Sequence, residues 1–188
     1  MCGRLNVISD PLSKAVCQQL GIEFSVHENR DLCPTQQVSV VGQIHDKLTQ
    51  MDFSWGIKPE WATQLIINAQ AETVNVKPTF RQAFRLNRVV VPVSGWYEWT
   101  TKAQRGKQKW LFDSADQDAL YMAAIAFTSA NSLVTITTKP SIPYAQYRHR
   151  MPLLIAPSMV RAWLECENDA LRLLSCDLPL VLRVSAVN

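Results

Sequence analysis

The segment Arg88-Val89-Val90-Val91-Pro92-Val93-Ser94-Gly95-Trp96-Tyr97-Glu98-Trp99 decides the fold class. Val89 to Ser94 is a continuous apolar run of strand length and reads as a buried strand. Pro92 has no amide donor, so the strand is expected at an edge or a bulge. The run passes directly into Gly95 to Trp99. Strand alternation there sends Trp96 and Glu98 to one side and Tyr97 and Trp99 to the other. A carboxylate hemmed in by aromatic rings is desolvated, which raises its pKa and suits it to proton transfer near neutrality. The alternative is a glutamate that pairs with a nearby arginine.

Working outward, more strands follow on both sides. Gln37 to Ile44 and Lys47 to Phe53 are β-rich runs around His45-Asp46, readable as a hairpin. Lys109 to Phe112, Leu120 to Phe127 and Leu133 to Thr138 are further strands, with a basic turn from Lys102 to Gln108, and Leu180 to Val187 is the last. Helical signals gather near the ends. Asp10 is a natural N-cap with Pro11 at the first helical position, Leu12, Val16 and Leu20 keep helical spacing, and Gly21 is a stop. Ser158 caps a helix carrying Met159, Trp163 and Leu164, and Asp169 to Cys176 continues it or begins a second. In the middle, Thr79 and Gln82 form a capping box for a short helix. Phe80 and Phe84 face its core side, while Arg81, Arg85 and Arg88 share the opposite face. Ser25 to Pro34 is polar and reads as loop. Strands dominate the centre and do not alternate with helices, which is the α+β class. Without repeats or a linker, residues 1–188 are expected to form a single domain.

The 188 residues are 47% hydrophobic and 19% charged, as in globular soluble proteins. No apolar run approaches the ~18 residues of a membrane helix. There is no charged leader with an apolar stretch behind it, so a cytoplasmic location is the default. Five cysteines without CxxC spacing and three histidines argue against a zinc site or a disulfide framework. No metal or other cofactor is expected. Cys17 and Cys176 are expected to pack as small hydrophobes. Net charge is +3, but Lys77 to Lys109 holds eight bases and only Glu98 as an acid. That local +7 leaves −4 elsewhere. Such a segment is the footprint of a polyanion partner, unless acidic neighbours in space neutralise it.

Three further stretches carry chemistry. In Met1-Cys2-Gly3-Arg4, removal of Met1 would leave an amine and a thiol on one two-carbon unit. The α-amine titrates near ~7.7–8.0, against ~10.4 for lysine, so at neutral pH it offers far more nucleophile. A 1,2-aminothiol condenses with an aldehyde to an imine and then, by thiol addition, to a thiazolidine. In Ser54 to Trp61, two tryptophans with a glycine and a proline suggest a loop. Such exposed rings can serve as stacking platforms for bases, Trp61 among them; the alternative is that both plug the core, which is the expectation for Trp55. In Tyr147-Arg148-His149-Arg150-Met151-Pro152, a neutral histidine between two arginines could accept a proton, or it lies on the surface.

Taken together, Met1 to Arg4, Trp55-Gly56 through Pro59 to Trp61, Asn68-Ala69-Gln70-Ala71-Glu72-Thr73, Phe80-Arg81, Gly95 to Trp99 and Arg150-Met151-Pro152 resemble the SRAP family, the SOS response-associated peptidase proteins. The likeness runs to Val184–Asn188 and covers nearly the whole chain. It implies a twisted, barrel-like, mainly antiparallel β core with flanking helices. It implies covalent capture of abasic sites in single-stranded DNA during the DNA damage response, with Met1 removed, self-processing being one route, and Cys2 forming a thiazolidine to the sugar aldehyde. On the family pattern Asn68 holds the N-terminus and sugar, Glu98 handles protons, a histidine before Arg-x-Pro assists ring opening, and Thr137 lines the pocket. Arg4, Trp61, Arg81, Arg85 and Arg150 become phosphate and base contacts. The protein is expected to act as a monomer, nucleoid-associated when on DNA.

Two departures stand out. Gln70 replaces the usual arginine, so a phosphate contact is missing or supplied by a neighbour such as Lys77. The family histidine sits four residues before the proline, and here that position is Arg148, with His149 one place later. One residue changes the face of a strand, and an arginine is no practical proton shuttle. Two other function classes compete. An N-terminal-nucleophile amidase or peptidase would use the same amine and thiol, and a non-catalytic binder of single-stranded nucleic acid would use the basic segment alone.

Overall fold

The computed structural model describes residues 3–102, 106–116, 118–176 and 181–187; Met1 and Cys2 lie outside this set. Strand β1 (Leu5–Val7) leads into helix α1 (Ser9–Leu20), followed by β2 (Asn29–Leu32). The hairpin of β3 (Gln37–Ile44) and β4 (Lys47–Trp55) comes next, then β5 (Asn68–Gln70) and α2 (Pro78–Leu86). The β-rich centre comprises β6 (Arg88–Val93), β7 (Gly95–Lys102), β8 (Gly106–Ser114), β9 (Leu120–Phe127) and β10 (Ser132–Thr138). Two short strands, β11 (Met151–Pro152) and β12 (Leu154–Ile155), precede α3 (Val160–Glu165), α4 (Glu167–Leu173) and β13 (Leu182–Val187).

The strands form two sheets. In the larger, β4–β3, β3–β6, β6–β9 and β9–β10 pair antiparallel, and β10 then meets β4 in parallel at Ser132↔Ser54 and Leu133↔Trp55. That last pairing closes five strands into a barrel, so the barrel-like core implied by the resemblance is present. Where β4 ends, β5 takes over its edge of β10, at Thr135↔Asn68 and Thr137↔Gln70. The smaller sheet is antiparallel, in the order β13-β8-β7-β1-β2. It carries the N-terminal strand and Glu98. With helices packed around these sheets the architecture is α+β.

Local chemistry explains the elements. His45 and Asp46 both take left-handed φ, 46° and 61°, the two-residue turn whose twist suits a hairpin. Asp10 is still extended, so regular helix begins at Pro11. Leu12, Val16 and Leu20 bury one stripe, and Gly21 ends α1 at φ 67° with its N–H on the Cys17 carbonyl, 3.0 Å away. Pro92 pairs with Tyr121 of β9, but β3 touches β6 only at Val41↔Val90. By Pro92 that edge of the strand has run out, as its missing donor requires. At Gly95 a Cβ would stand 2.4 Å from the Phe112 carbonyl oxygen, so β7 and β8 approach there as only glycine allows.

Several expectations need correction. Ser25 to Pro34 is not all loop, because Asn29–Leu32 pairs with β1 as an edge strand that buries Leu32 alone. Thr79 is no cap: Pro78, suited to the first helical position, starts α2 earlier, and Lys77 stands at the cap. Arg88 does not share a face with Arg81 and Arg85. It is 8% exposed at the start of β6, and its guanidinium donates to the carbonyls of Phe84, Arg85, Trp163 and Leu164. Cys176 lies past the end of α4 and is exposed, whereas Cys17 packs on the core. Extended backbone at Cys166 separates α3 from α4, which settles the two-helix alternative. The expected basic turn is largely strand, since β7 runs to Lys102 and β8 starts at Gly106; residues 103–105 lie outside the described set, as does Leu180 of the expected last strand.

Candidate active site and nucleic-acid interface

The centre of the site is the junction of β1 with β7. Leu5 pairs with Trp96 and Asn6 with Gly95, and the Tyr97 N–H donates to the Arg4 carbonyl at 2.9 Å. Glu98 is the next residue along β7 and is 1% exposed. Trp96, on the same side, is wholly buried and stacks on Phe112 with ring centroids 5.1 Å apart. Burial pushes the Glu98 carboxyl above its ordinary range, and Arg148 partly opposes this. The Arg148 Nε donates to Glu98 Oε2 at 2.9 Å. Glu98 is therefore both desolvated and arginine-paired, so the two sequence readings are not exclusive.

The segment bearing Arg148 is fixed on both sides. Tyr147 sets its ring edge-on to Trp110 and Phe112, with centroids at 5.0 and 5.4 Å. Arg150 donates from Nη1 and Nη2 to the two Glu72 carboxylate oxygens at 2.7 and 2.8 Å, and from Nη2 to the Thr137 carbonyl. The Arg150 hydrogen bond holds the Glu72 carboxyl below its usual range. Arg150 is thus a buried anchor rather than an open phosphate contact, because its donor fork is already filled. His149 is exposed; Arg148, not His149, reaches Glu98.

Asn68 and the β10 threonines meet through the parallel β5–β10 pairing. The Thr135 hydroxyl donates to Asn68 Oδ1 at 2.6 Å. Thr137 is fully buried and its hydroxyl donates to the Ala69 carbonyl at 3.2 Å. Thr135, two places before Thr137, is thus a threonine that touches Asn68. Sequence reasoning also missed Glu72 and Tyr147 as the residues that fix the Arg148 segment. The signal for Glu72 was available, since its motif and the Arg150 motif carry complementary charges.

The expected DNA contacts differ in how open they are. Trp61 is 68% exposed beside a groove lined by Ile57, Lys58, Pro59, Pro78 and Phe127, while Trp55 is wholly buried with its indole N–H on the Ile67 carbonyl. Gln70, Lys77 and Arg81 are exposed. Arg85 is exposed but lies 3.5 Å from Glu167. Arg4 is half-buried, pairs with Asp31 and lies 5.9 Å above the Trp99 ring. Lys109 shares Asp31 at 3.5 Å and sits 3.9 Å over the Tyr97 ring. Acidic neighbours and the burial of Arg88 therefore absorb part of the basic segment. Among the described residues no group of His, Cys, Asp or Glu could hold a metal ion, and no helix is long and apolar enough to cross a membrane. Cys2 lies outside the described residues.

The family model for SOS response associated peptidase (SRAP) matches residues 1–183. The abasic site processing protein YoqW of Bacillus subtilis (strain 168) is 26% identical over 183 residues, covering 89% of this chain and 82% of that protein. The abasic site processing protein YoaM of the same organism is 24% identical over 186 residues, covering 90% and 82%. Among solved structures, a phage-related protein of Bordetella bronchiseptica superposes with a TM-score of 0.81 at 20% identity, covering 99% of this chain and 94% of that one. A protein of Bacteroides thetaiotaomicron gives 0.76 at 19% identity, covering 100% and 92%. At those identities the structural likeness concerns the fold.

Proposed function

The chain belongs to the SOS response associated peptidase (SRAP) family, and from that premise we propose that it processes abasic sites in DNA by capturing them covalently in single strands. The relatives named abasic site processing proteins support the lesion class. The chemistry follows from the chain's own residues. Once Met1 is removed, the Cys2 amine adds to the aldehyde of the ring-opened sugar. The carbinolamine loses water to give an imine, and the Cys2 thiol adds to the C=N bond. The product is a thiazolidine, and one water is released for each aldehyde captured.

The observation that carries this reading is the β1–β7 register. It pairs Leu5 with Trp96 and Arg4 with Tyr97, and thus brings the chain at Arg4 to within one strand position of Glu98. Loss of water from a carbinolamine needs a proton donor. A carboxyl whose pKa burial has raised keeps its proton closer to neutrality than an exposed one. Asn68, whose amide oxygen accepts from Thr135, takes in this reading the role of orienting the N-terminus or the sugar. Single strands suit this role because the abasic sugar must leave the helix stack to be reached. Trp61, exposed beside Lys58, offers a ring on which a neighbouring base can stack.

The test is a denaturing gel of the protein with an abasic single-stranded oligonucleotide. A shifted band that is lost in Cys2→Ala is expected. No band, or a band that persists in Cys2→Ala, overturns the reading.

A further inference from the structure

The guanidinium of Arg148 is only half used. Its Nε is held by Glu98, while Nη1 and Nη2 donate to no group among the described residues. The side chain is 38% exposed and stands directly beside the buried carboxylate. The neighbouring arginines are committed differently. Both Nη atoms of Arg150 are filled by Glu72 and the Thr137 carbonyl, and Arg4 is held by Asp31.

Arg148 is also held in place before any ligand arrives. Tyr147, wedged against Trp110 and Phe112, fixes the backbone on one side. Arg150, clamped two residues later, fixes it on the other. A planar guanidinium with its stem and Nε fixed presents the two remaining nitrogens as a rigid fork. That geometry matches two oxygens of a phosphate, and little side-chain freedom remains to be lost on binding.

We propose that Arg148 binds a backbone phosphate of the single strand through Nη1 and Nη2 while its Nε holds Glu98. One side chain then ties the position of the strand to the proton-handling carboxylate, and the phosphate role expected of Arg150 falls to Arg148. This rests on the reading that the chain binds single-stranded DNA.

The test uses the full chain and two oligonucleotides. One carries a tetrahydrofuran abasic analogue, which has no aldehyde and reports non-covalent binding across a salt series. The other carries a true abasic site and reports crosslinking. Loss of one phosphate contact in Arg148→Gln lowers the slope of log affinity against log salt by ~0.7, which at 50 mM salt is about an eightfold weaker complex. Arg148→Lys keeps the charge and therefore keeps the slope. An unchanged slope in Arg148→Gln, with wild-type crosslinking intact, overturns this proposal alone. A slope that falls equally in Arg148→Lys also overturns it, because lost charge is then not the cause. Wild-type protein that neither binds nor crosslinks overturns the functional reading and this one with it.

Discussion

Arg148 and Glu98 form a one-point ion pair, Nε to Oε2 at 2.9 Å, across a boundary between solvent and core: the arginine side chain is 38% exposed and the glutamate 2%. Burial and pairing pull the carboxyl in opposite directions, and burial is the larger effect. Carbon-13 carboxyl NMR should therefore show Glu98 titrating above 4.5, the ordinary glutamate value, and higher still in Arg148→Ala. The same shift has a stability consequence. A carboxyl with a raised folded pKa contributes stability that is fully present below the unfolded value. That contribution is lost as pH rises through the folded one. Thermal melts of Glu98→Gln should lack this alkaline-going loss. A Glu98 that titrates at or below 4.5 would contradict the desolvation argument.

The Arg150–Glu72 pair should behave in the opposite sense. Its carboxyl is lowered, so its contribution is present above the unfolded pKa and lost as pH falls through the folded value. Glu72→Gln removes the charge partner of an arginine that is 10% exposed. A cost of about 1–3 kcal/mol near neutral pH is expected, below that of a fully buried pair because Glu72 itself is 42% exposed. Melts in acid should bring wild type and variant together. A gap between them that is as wide in acid as at neutral pH would contradict the assignment.

Arg88 belongs to the core despite its place in the basic segment. Its guanidinium joins the end of α2 to the end of α3 through four carbonyl groups. Arg88→Met should destabilise by about 3 kcal/mol or more, because it strands those acceptors. Below its melting range, the variant should keep the wild-type salt slope for single-stranded DNA. A reduced slope would return Arg88 to the binding surface.

Trp61 should separate binding from folding. It is 68% exposed, so Trp61→Ala should leave the melting temperature nearly unchanged. Loss of a stacked base should weaken single-strand binding by about 1–3 kcal/mol. Titration of the tetrahydrofuran oligonucleotide by anisotropy checks this, and equal affinities for the two proteins would remove Trp61 from the interface.

Legibility of the sequence followed the range of the interaction. The His45-Asp46 hairpin, the α1 stop at Gly21 and the split fates of Trp55 and Trp61 rest on local chemistry, and all were readable. The strands Leu5–Val7, Asn68–Gln70, Met151–Pro152 and Leu154–Ile155 are too short to show a period, so pairing partners far along the chain define them. The parallel contact of β4 with β10 that closes the barrel joins residues nearly eighty positions apart, and no local pattern announces it. In the site, the desolvation of Glu98 could be read from its aromatic flanks. The choice of Arg148 over His149 as its partner could not, because it depends on how Tyr147 and Arg150 anchor the segment.

The central claim is that Cys2, freed of Met1, captures the abasic aldehyde. Intact-mass spectrometry of the protein after incubation with an abasic single-stranded oligonucleotide tests it most directly. The expected species weighs the Met1-less chain plus the oligonucleotide minus one water, and it is absent from Cys2→Ala. An adduct that retains Met1, an adduct that forms in Cys2→Ala, or no adduct at all would contradict the account.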